Sequence, residues 1–106
     1  MSYRIDYTPE SVEDLNSIAT YLLEEAKSVA APLSVMNAIH RIIAILENHP
    51  HAGQVYAQNP RFRKLVEPKY AYLIFYEVLG EEGSVRIARI LHSFRKIELA
   101  VESEKM

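Results

Sequence analysis

The final third of the chain contains two runs whose side chains alternate at every second residue. The first run extends from Tyr70 to Val78, and the second extends from Val85 to His92. This period is typical of β-strands, because successive side chains point to opposite faces of a sheet. The segment between them carries two glycines, which allow the positive φ values that a tight reversal requires. The sequence therefore predicts a β-hairpin that ends near His92 and is followed by Arg95.

Strict alternation divides each strand of this hairpin into two faces. In the first strand, one face holds Tyr70, Tyr72, Ile74, Tyr76 and Val78, and the other holds Ala71, Leu73, Phe75 and Glu77. In the second, one face holds Val85, Ile87, Arg89 and Leu91, and the other holds Arg86, Ala88, Ile90 and His92. An arginine among aliphatic side chains is costly to bury alone, so we expect Arg89 at the rim of the sheet or beside a partner group.

The first half of the chain predicts a short strand followed by two helices. Residues 3–7 alternate, Thr8 is a candidate N-cap, and Pro9 suits the first helical position. Apolar residues then recur at spacings of three and four through residue 26, with Glu10, Glu13 and Asp14 near the positive N-terminal end of this helix. We expect a break at Lys27-Ser28 and a second, strongly apolar helix that ends near Asn48, because Pro50 lies just beyond.

The remaining segments complete an α+β arrangement. Residues 49–60 contain proline, glycine and asparagine without an apolar period and predict a loop, whereas residues 61–67 predict a strand. Ile97, Ala100 and Val101 indicate a short C-terminal helix within a tail of residues 93–106. We therefore expect a single domain over residues 1–106, in the order β-α-α-β-β-β, with an antiparallel sheet covered on one face by a two-helix hairpin.

The composition of the chain excludes several kinds of functional site. The chain has 106 residues, which suits one domain, and it has no cysteine, which excludes disulfides and thiolate metal sites. His49-Pro50-His51 is too sparse a set to predict a metal site. Residues 1–49 hold three basic and seven acidic side chains, a charge of −4, and the rest hold nine and seven, a charge of +2. We expect a cytoplasmic protein, since residues 1–6 lack the apolar core of a signal peptide and no apolar run approaches the length of a membrane span.

With these elements in this order, the chain resembles the RelE/ParE superfamily of bacterial type II toxins. The resemblance begins with the strand before Thr8-Pro9, continues through the first helix and reaches Pro50-x-x-Gly53 and Arg63-x-Leu65. It ends with Tyr72-Leu73-Ile74-Phe75-Tyr76 and Val85-x-Ile87-x-Arg89-Ile90-Leu91-His92-x-x-Arg95. It implies the fold described above, no cofactor and no metal, and a cognate antitoxin that wraps the helical hairpin and a sheet edge.

Two activities are known in that superfamily. ParE-like members inhibit DNA gyrase, whereas RelE-like members cut messenger RNA on the ribosome. Cleavage needs a base, an acid and cations that stabilise the phosphorane, and RelE-like members carry an arginine where this chain has Tyr72. A phenol cannot replace a guanidinium there. The near-neutral pI of about 6.1 also suits a protein target better than ribosomal RNA.

The resemblance therefore favours a ParE-like gyrase inhibitor and implies that basic side chains near the hairpin contact the target. The expected target-binding residues are Arg61, Arg63, Lys64, Arg89, His92 and Arg95. The alternative is a ribonuclease that uses Arg63, Lys64, Arg89 and His92, and a third is a non-toxic binding module. Structural roles also stay open: Arg89 and Arg95 could pair with Glu67 or Glu77, and His92 could bond to nearby backbone.

Overall fold

The computed structural model describes residues 2–26 and 30–93, which form a mixed α+β fold. In chain order the elements are β1 (Arg4–Tyr7), α1 (Pro9–Ala26), α2 (Ala30–Ala44), β2 (Gln54–Val55), β3 (Arg63–Glu67), β4 (Tyr72–Leu79) and β5 (Ser84–His92). Short 3₁₀ turns follow α2 and connect β4 to β5. The predicted α+β class and the β4–β5 hairpin are confirmed. The helix break at Lys27-Ser28 and the C-terminal helix lie outside the described residues.

The sheet has the strand order β1-β5-β4-β3-β2, and its pairing corrects the expectation of a wholly antiparallel sheet. β2, β3, β4 and β5 pair antiparallel with their neighbours, but β1 runs parallel to β5. Parallel neighbours need a long crossover connection. Here the connection from β1 includes both helices, and the sequence pattern of β1 gave no sign of its partner.

A second correction is β2, which lies within the segment predicted to be a loop. Gln54 and Val55 pair with Lys64 and Arg63. The reversal between them is closed by the Tyr56 N–H, which donates to the Phe62 carbonyl at 2.9 Å. A two-residue ladder is too short to leave a period in the sequence, so alternation could not reveal it.

A β-bulge corrects the predicted faces of β5. The register shifts between Phe75, which pairs with Arg89, and Tyr76, which pairs with Ile87, so that Ala88 is the extra residue. Beyond the bulge the faces exchange. Ile90 therefore joins Val85 and Ile87 in the core beneath the helices, and Ala88 and Leu91 lie in the cluster on the opposite face.

The start of α1 is fastened to β5 where β1 ends. The Thr8 hydroxyl accepts a hydrogen bond from the Ser11 N–H at 3.1 Å, which confirms the predicted N-cap. The same hydroxyl donates to the Ala88 carbonyl at 3.0 Å, and the Thr8 N–H donates to the Ile87 carbonyl at 3.1 Å. The last residue pair between β1 and β5 is Tyr7 with Ile87. Beyond that pair, Thr8 at the start of α1 forms hydrogen bonds with the free edge of β5.

Two apolar clusters lie on opposite faces of the sheet. The larger one packs α2 against the strands and contains Val35, Ile39, Ile43, Leu46, Tyr72, Ile74, Tyr76, Val85, Ile87 and Ile90. The smaller one contains Tyr56, Phe62, Leu73, Phe75, Ala88 and Leu91. The expectation that no apolar run approaches the length of a membrane span is wrong for Ala30–Glu47, which is long and apolar enough by length and composition alone. One face of this segment packs against the sheet through Val35, Ile39, Ile43 and Leu46, whereas Leu33 and Ile45 remain exposed.

Candidate functional site

Arg89, a predicted target contact, is held inside the molecule by α1. Its Nε and Nη2 donate to the Asp14 carboxylate at 2.8 and 3.0 Å, and the Ile90 N–H donates to the same carboxylate at 2.9 Å. The side chains of Arg89 and Asp14 are only 16% and 9% exposed. The guanidinium is therefore occupied by a structural ion pair that joins α1 to β5.

Arg61 belongs to a second ion cluster, at the end of the sheet away from His92. Its Nε donates to Glu77 at 2.7 Å, and Arg86 Nη2 contacts the other oxygen of that carboxylate at 3.0 Å. The hydrogen bond to Glu77 raises the pKa of the Arg61 guanidinium above its usual value. Glu77 is nearly buried, whereas both arginine side chains stay about 40% exposed. Each arginine is thus held to the sheet by Glu77, and part of its side chain remains accessible to solvent.

Arg63 supports the loop that precedes β2. Its Nη1 donates to the carbonyl of Gly53 at 2.8 Å and lies 3.5 Å from that of His51. Beneath it, the Gly53 N–H donates to the hydroxyl of buried Tyr76 at 2.8 Å. Burial raises the pKa of the Tyr76 phenol. The Arg63 side chain therefore serves to hold a loop in place.

Among the predicted target-binding residues, Lys64 is the one whose charged group has no partner in the described residues. It pairs with Gln54 on one side and Phe75 on the other, which places it on the sheet face away from the helices. Within residues 2–26 and 30–93 its ammonium group makes no hydrogen bond or ion pair, and its side chain is partly exposed. Arg89 is the next residue across the same row, on the far side of Phe75. Lys64 is thus a cation available to a target.

His92 points to the opposite side, toward the helices. Its ring meets the Tyr72 ring edge-on at a centroid distance of 5.2 Å, and it lines a cleft between α1 and the ends of β4 and β5. Among the predicted residues, Lys64 and His92 therefore occupy different surfaces. Arg95 lies outside the described residues.

The cleft beside His92 was missed by sequence reasoning. It has a volume of about 640 Å³ and is lined by Asp14, Ser17, Ile18, Tyr21, Leu22, Val35, Tyr70, Tyr72, Ile90 and His92. Burial, and then the nearby Tyr21 and Glu67, raise the pKa of the Tyr72 phenol. One signal was present in the sequence: Asp14, Ile18 and Leu22 are spaced by four and share a helix face, which indicates that Asp14 faces inward.

This arrangement does not gather the four candidate ribonuclease residues at one point. Arg89 is bound to Asp14, Arg63 is bound to loop carbonyls, and His92 lies on the helix side. Of the four, Lys64 is the one that is partly exposed on the other face without a partner in the described residues. In the described part of the chain, no three histidine or acidic side chains are grouped closely enough to hold a metal ion.

Comparison with solved structures defines the class of protein to which this fold belongs. The chromosomal ParDE toxin–antitoxin system from P. aeruginosa aligns with a TM-score of 0.61 and 18% identity, over 86% of this chain and 96% of that one. A mutant E. coli RelE toxin in the free state aligns with a TM-score of 0.66 and 13% identity, over 100% of this chain and 99% of that one. The toxin–antitoxin complex RelBE2 from Mycobacterium tuberculosis aligns with a TM-score of 0.57 and 17% identity, over 87% of this chain and 99% of that one. The fold is therefore that of RelE/ParE toxins.

The family follows from the sequence itself. The family model for the ParE toxin of the type II toxin–antitoxin system parDE matches residues 5–97. The chain belongs to this family of ParE toxins. No curated protein sequence matches the chain significantly.

Proposed function

We propose that this chain arrests growth by inhibiting DNA gyrase in the cytoplasm and that a cognate antitoxin neutralises it. The observation that carries the proposal is the dispersal of the groups that a ribonuclease would need. Arg63, Arg89 and His92 are engaged with the loop, with α1 and with the cleft, respectively. Acid–base catalysis needs its groups within hydrogen-bond reach of one substrate, whereas inhibition by binding has no such requirement. The ParE family match supports the same choice.

We assign the target contacts to the basic sheet face around Lys64. Lys64 has no competing partner in the described residues, and Arg61 remains 44% exposed beside its Glu77 partner. Rim charges of this kind mainly steer association with a complementary acidic surface. Arg95 lies outside the described residues and stays a target contact predicted from the sequence. Arg63 and Arg89 then act as positioning residues.

The antitoxin is expected to cover the opposite surface. The similar structures include complexes of ParDE and RelBE toxins with their antitoxins. In this chain, the helix side offers the cleft, and the edge of β3 beyond Lys64 has no neighbouring strand in the described residues. A helix in a groove and a strand added to a sheet edge are the two binding modes that such features allow.

Expression in cells from a tightly controlled promoter tests the proposed activity. We expect growth arrest with relaxed plasmids and intact transcripts. Lys64→Glu should weaken the arrest, whereas Lys69→Glu, the same charge change at an exposed turn residue, should leave it unchanged. Equal effects of both substitutions would contradict the assigned surface, and normal growth with clear expression would favour a non-toxic binding module.

A ribosome-dependent ribonuclease is the second candidate, because Lys64 and Arg89 flank Phe75 in one row across the sheet. That activity requires Arg89 to leave Asp14. It predicts transcripts cut at codon-phased positions in the arrested cells. Such cuts, together with unchanged plasmid supercoiling, would replace the gyrase proposal.

A further inference from the structure

The outer edge of β1 is one edge of the sheet, because the strand order begins with β1. The Arg4 N–H donates to the Gly83 carbonyl at 3.0 Å, and alternate residues of a paired strand bond to the same neighbour. The peptide groups of Ile5 and Tyr7 therefore point away from β5. In the described part of the chain, no strand pairs with them. An edge of this kind is a template for pairing with another strand.

The length of edge that can accept another strand is short. At one end, the Tyr3 N–H also points outward, but it already donates to the Glu47 carbonyl at 2.7 Å. At the other end, Pro9 begins α1 and has no N–H to donate. Added pairing is therefore confined to residues 4–7, and Ile5 at their centre supplies both an N–H and a carbonyl.

The side chains of this edge divide between the two faces of the sheet. Ile5 and Tyr7 pack against the larger apolar cluster beneath the helices. Arg4 and Asp6 lie on the opposite face, where the Arg4 Nε contacts the Asp6 carboxylate at 2.9 Å and the two side chains are 67% and 42% exposed. Surface ion pairs contribute little to stability, so each side chain can exchange this partner for an equivalent one at little cost. Lysine and proline commonly protect edge strands, and β1 contains neither.

Charge selects one antiparallel register of β1 against a second copy of itself. Hydrogen bonds form between outward-pointing residues, so Ile5 can lie opposite Ile5 or opposite Tyr7 of the second copy. In the first register, Arg4 of each copy lies opposite Asp6 of the other. In the second register, Asp6 lies opposite Asp6, and like charges directly opposite destabilise a strand pair. The sequence Arg4-Ile5-Asp6 is therefore complementary to itself when two copies run antiparallel.

We propose that two copies of this chain associate edge to edge through β1, with a two-fold axis at Ile5. The symmetry makes every contact occur twice. The Ile5 N–H of each copy donates to the Ile5 carbonyl of the other, and the Arg4 guanidinium of each copy meets the Asp6 carboxylate of the other. A contact of so few residues is small, so we expect a weak dimer with a Kd on the order of 100 μM. No residue of β1 lines the cleft, and the proposal does not depend on the toxin function.

Sedimentation equilibrium of the purified full-length chain, between about 10 and 500 μM, tests this association. The average mass of the unaltered chain should rise with concentration from that of a monomer toward that of a dimer. Arg4→Asp and Asp6→Arg each place like charges opposite one another, so each variant alone should associate at least about tenfold more weakly. An equimolar mixture of the two variants should associate like the unaltered chain, because each then supplies the charge that the other lacks.

The matched control is Lys69→Asp, which makes the same charge change as Arg4→Asp at an exposed turn residue and should not alter association. Thermal melts should show that both β1 variants remain folded, because the side chains that they replace are exposed. Amide exchange at Ile5 should slow as the concentration rises.

Equal association of the two variants alone and of their mixture would overturn the inference and indicate a different contact surface. A monomer at every concentration would also overturn it. If Ile5 exchange is then slow even in dilute samples, the edge is covered by another segment of the same chain, such as residues 94–106.

Discussion

At the scale of single residues, the structure separates basic side chains that hold the fold from those available to a target. The sequence showed that Arg89 needs a partner but did not identify it. Glu67 was one candidate, yet its carboxylate caps the turn after β3 by accepting the N–H groups of Lys69 and Tyr70 at 2.9 and 2.7 Å. The partner is Asp14, 75 residues away along the chain. A contact across that distance depends on tertiary packing, which local patterns do not encode.

Removing the Asp14 carboxylate should destabilise the fold strongly. Asp14→Ala leaves the poorly exposed Arg89 guanidinium and the Ile90 N–H without their acceptor. We expect a loss of about 3 kcal/mol in the free energy of unfolding, measured by urea denaturation, because a broken buried ion pair leaves a charge uncompensated. Asp6→Ala breaks the exposed Arg4–Asp6 pair and serves as the control, with no measurable loss expected. Similar losses in the two variants would argue against a structural role for Asp14.

Tyr72 predicts a specific dependence of stability on alkaline pH. Its pKa is raised in the folded chain, first by burial and then by Tyr21 and Glu67. The folded state therefore holds this proton more tightly than the unfolded chain, whose tyrosine pKa is about 10. The resulting stabilisation is complete below pH ~10 and is lost as pH rises through the folded pKa. Urea unfolding between pH 8 and 11 should show a smaller decline for Tyr72→Phe than for the unaltered chain. Parallel declines would exclude this linkage.

At the scale of elements, periodic segments were predictable and short or paired features were not. The spacing of three and four in α1 and the alternation in β4 describe those elements well, because each buries one face over many residues. β2 has two residues, and the bulge at Ala88 depends on the register between two strands. Neither leaves a repeating pattern. The face predicted for Ile90 was therefore wrong, although its strand was right.

Gly53 is the position at which the loop and the sheet come closest. A Cβ added there would lie 2.8 Å from the Lys64 carbonyl oxygen and 2.8 Å from the Tyr76 hydroxyl. Because Tyr76 is fully buried and cannot withdraw, Gly53→Ala should cost about 1 to 3 kcal/mol in the free energy of unfolding. Gly80→Ala is the matched control, since nothing lies within 4 Å of its added Cβ. A thermal melt that ranks the two variants equally would show that the loop can move away.

At the scale of the whole molecule, the sheet separates two surfaces with different charges. The helix side carries the cleft and α1, whose exposed acids are Glu10, Glu13, Glu24 and Glu25, and the opposite face carries Lys64 between Gln54 and Phe75. The cleft itself could not be predicted, because it brings together α1, α2 and the ends of β4 and β5. This separation suggests that antitoxin and target use different sides of the toxin.

Supercoiling by purified gyrase is the most direct test of the central claim. The account predicts that the purified chain blocks ATP-dependent supercoiling of relaxed plasmid, and that Lys64→Glu needs at least about tenfold more protein for the same inhibition, as loss of a contact worth 1.4 kcal/mol implies. Lys69→Glu should inhibit like the unaltered chain. Full gyrase activity at saturating amounts of folded, unaltered protein would contradict the account.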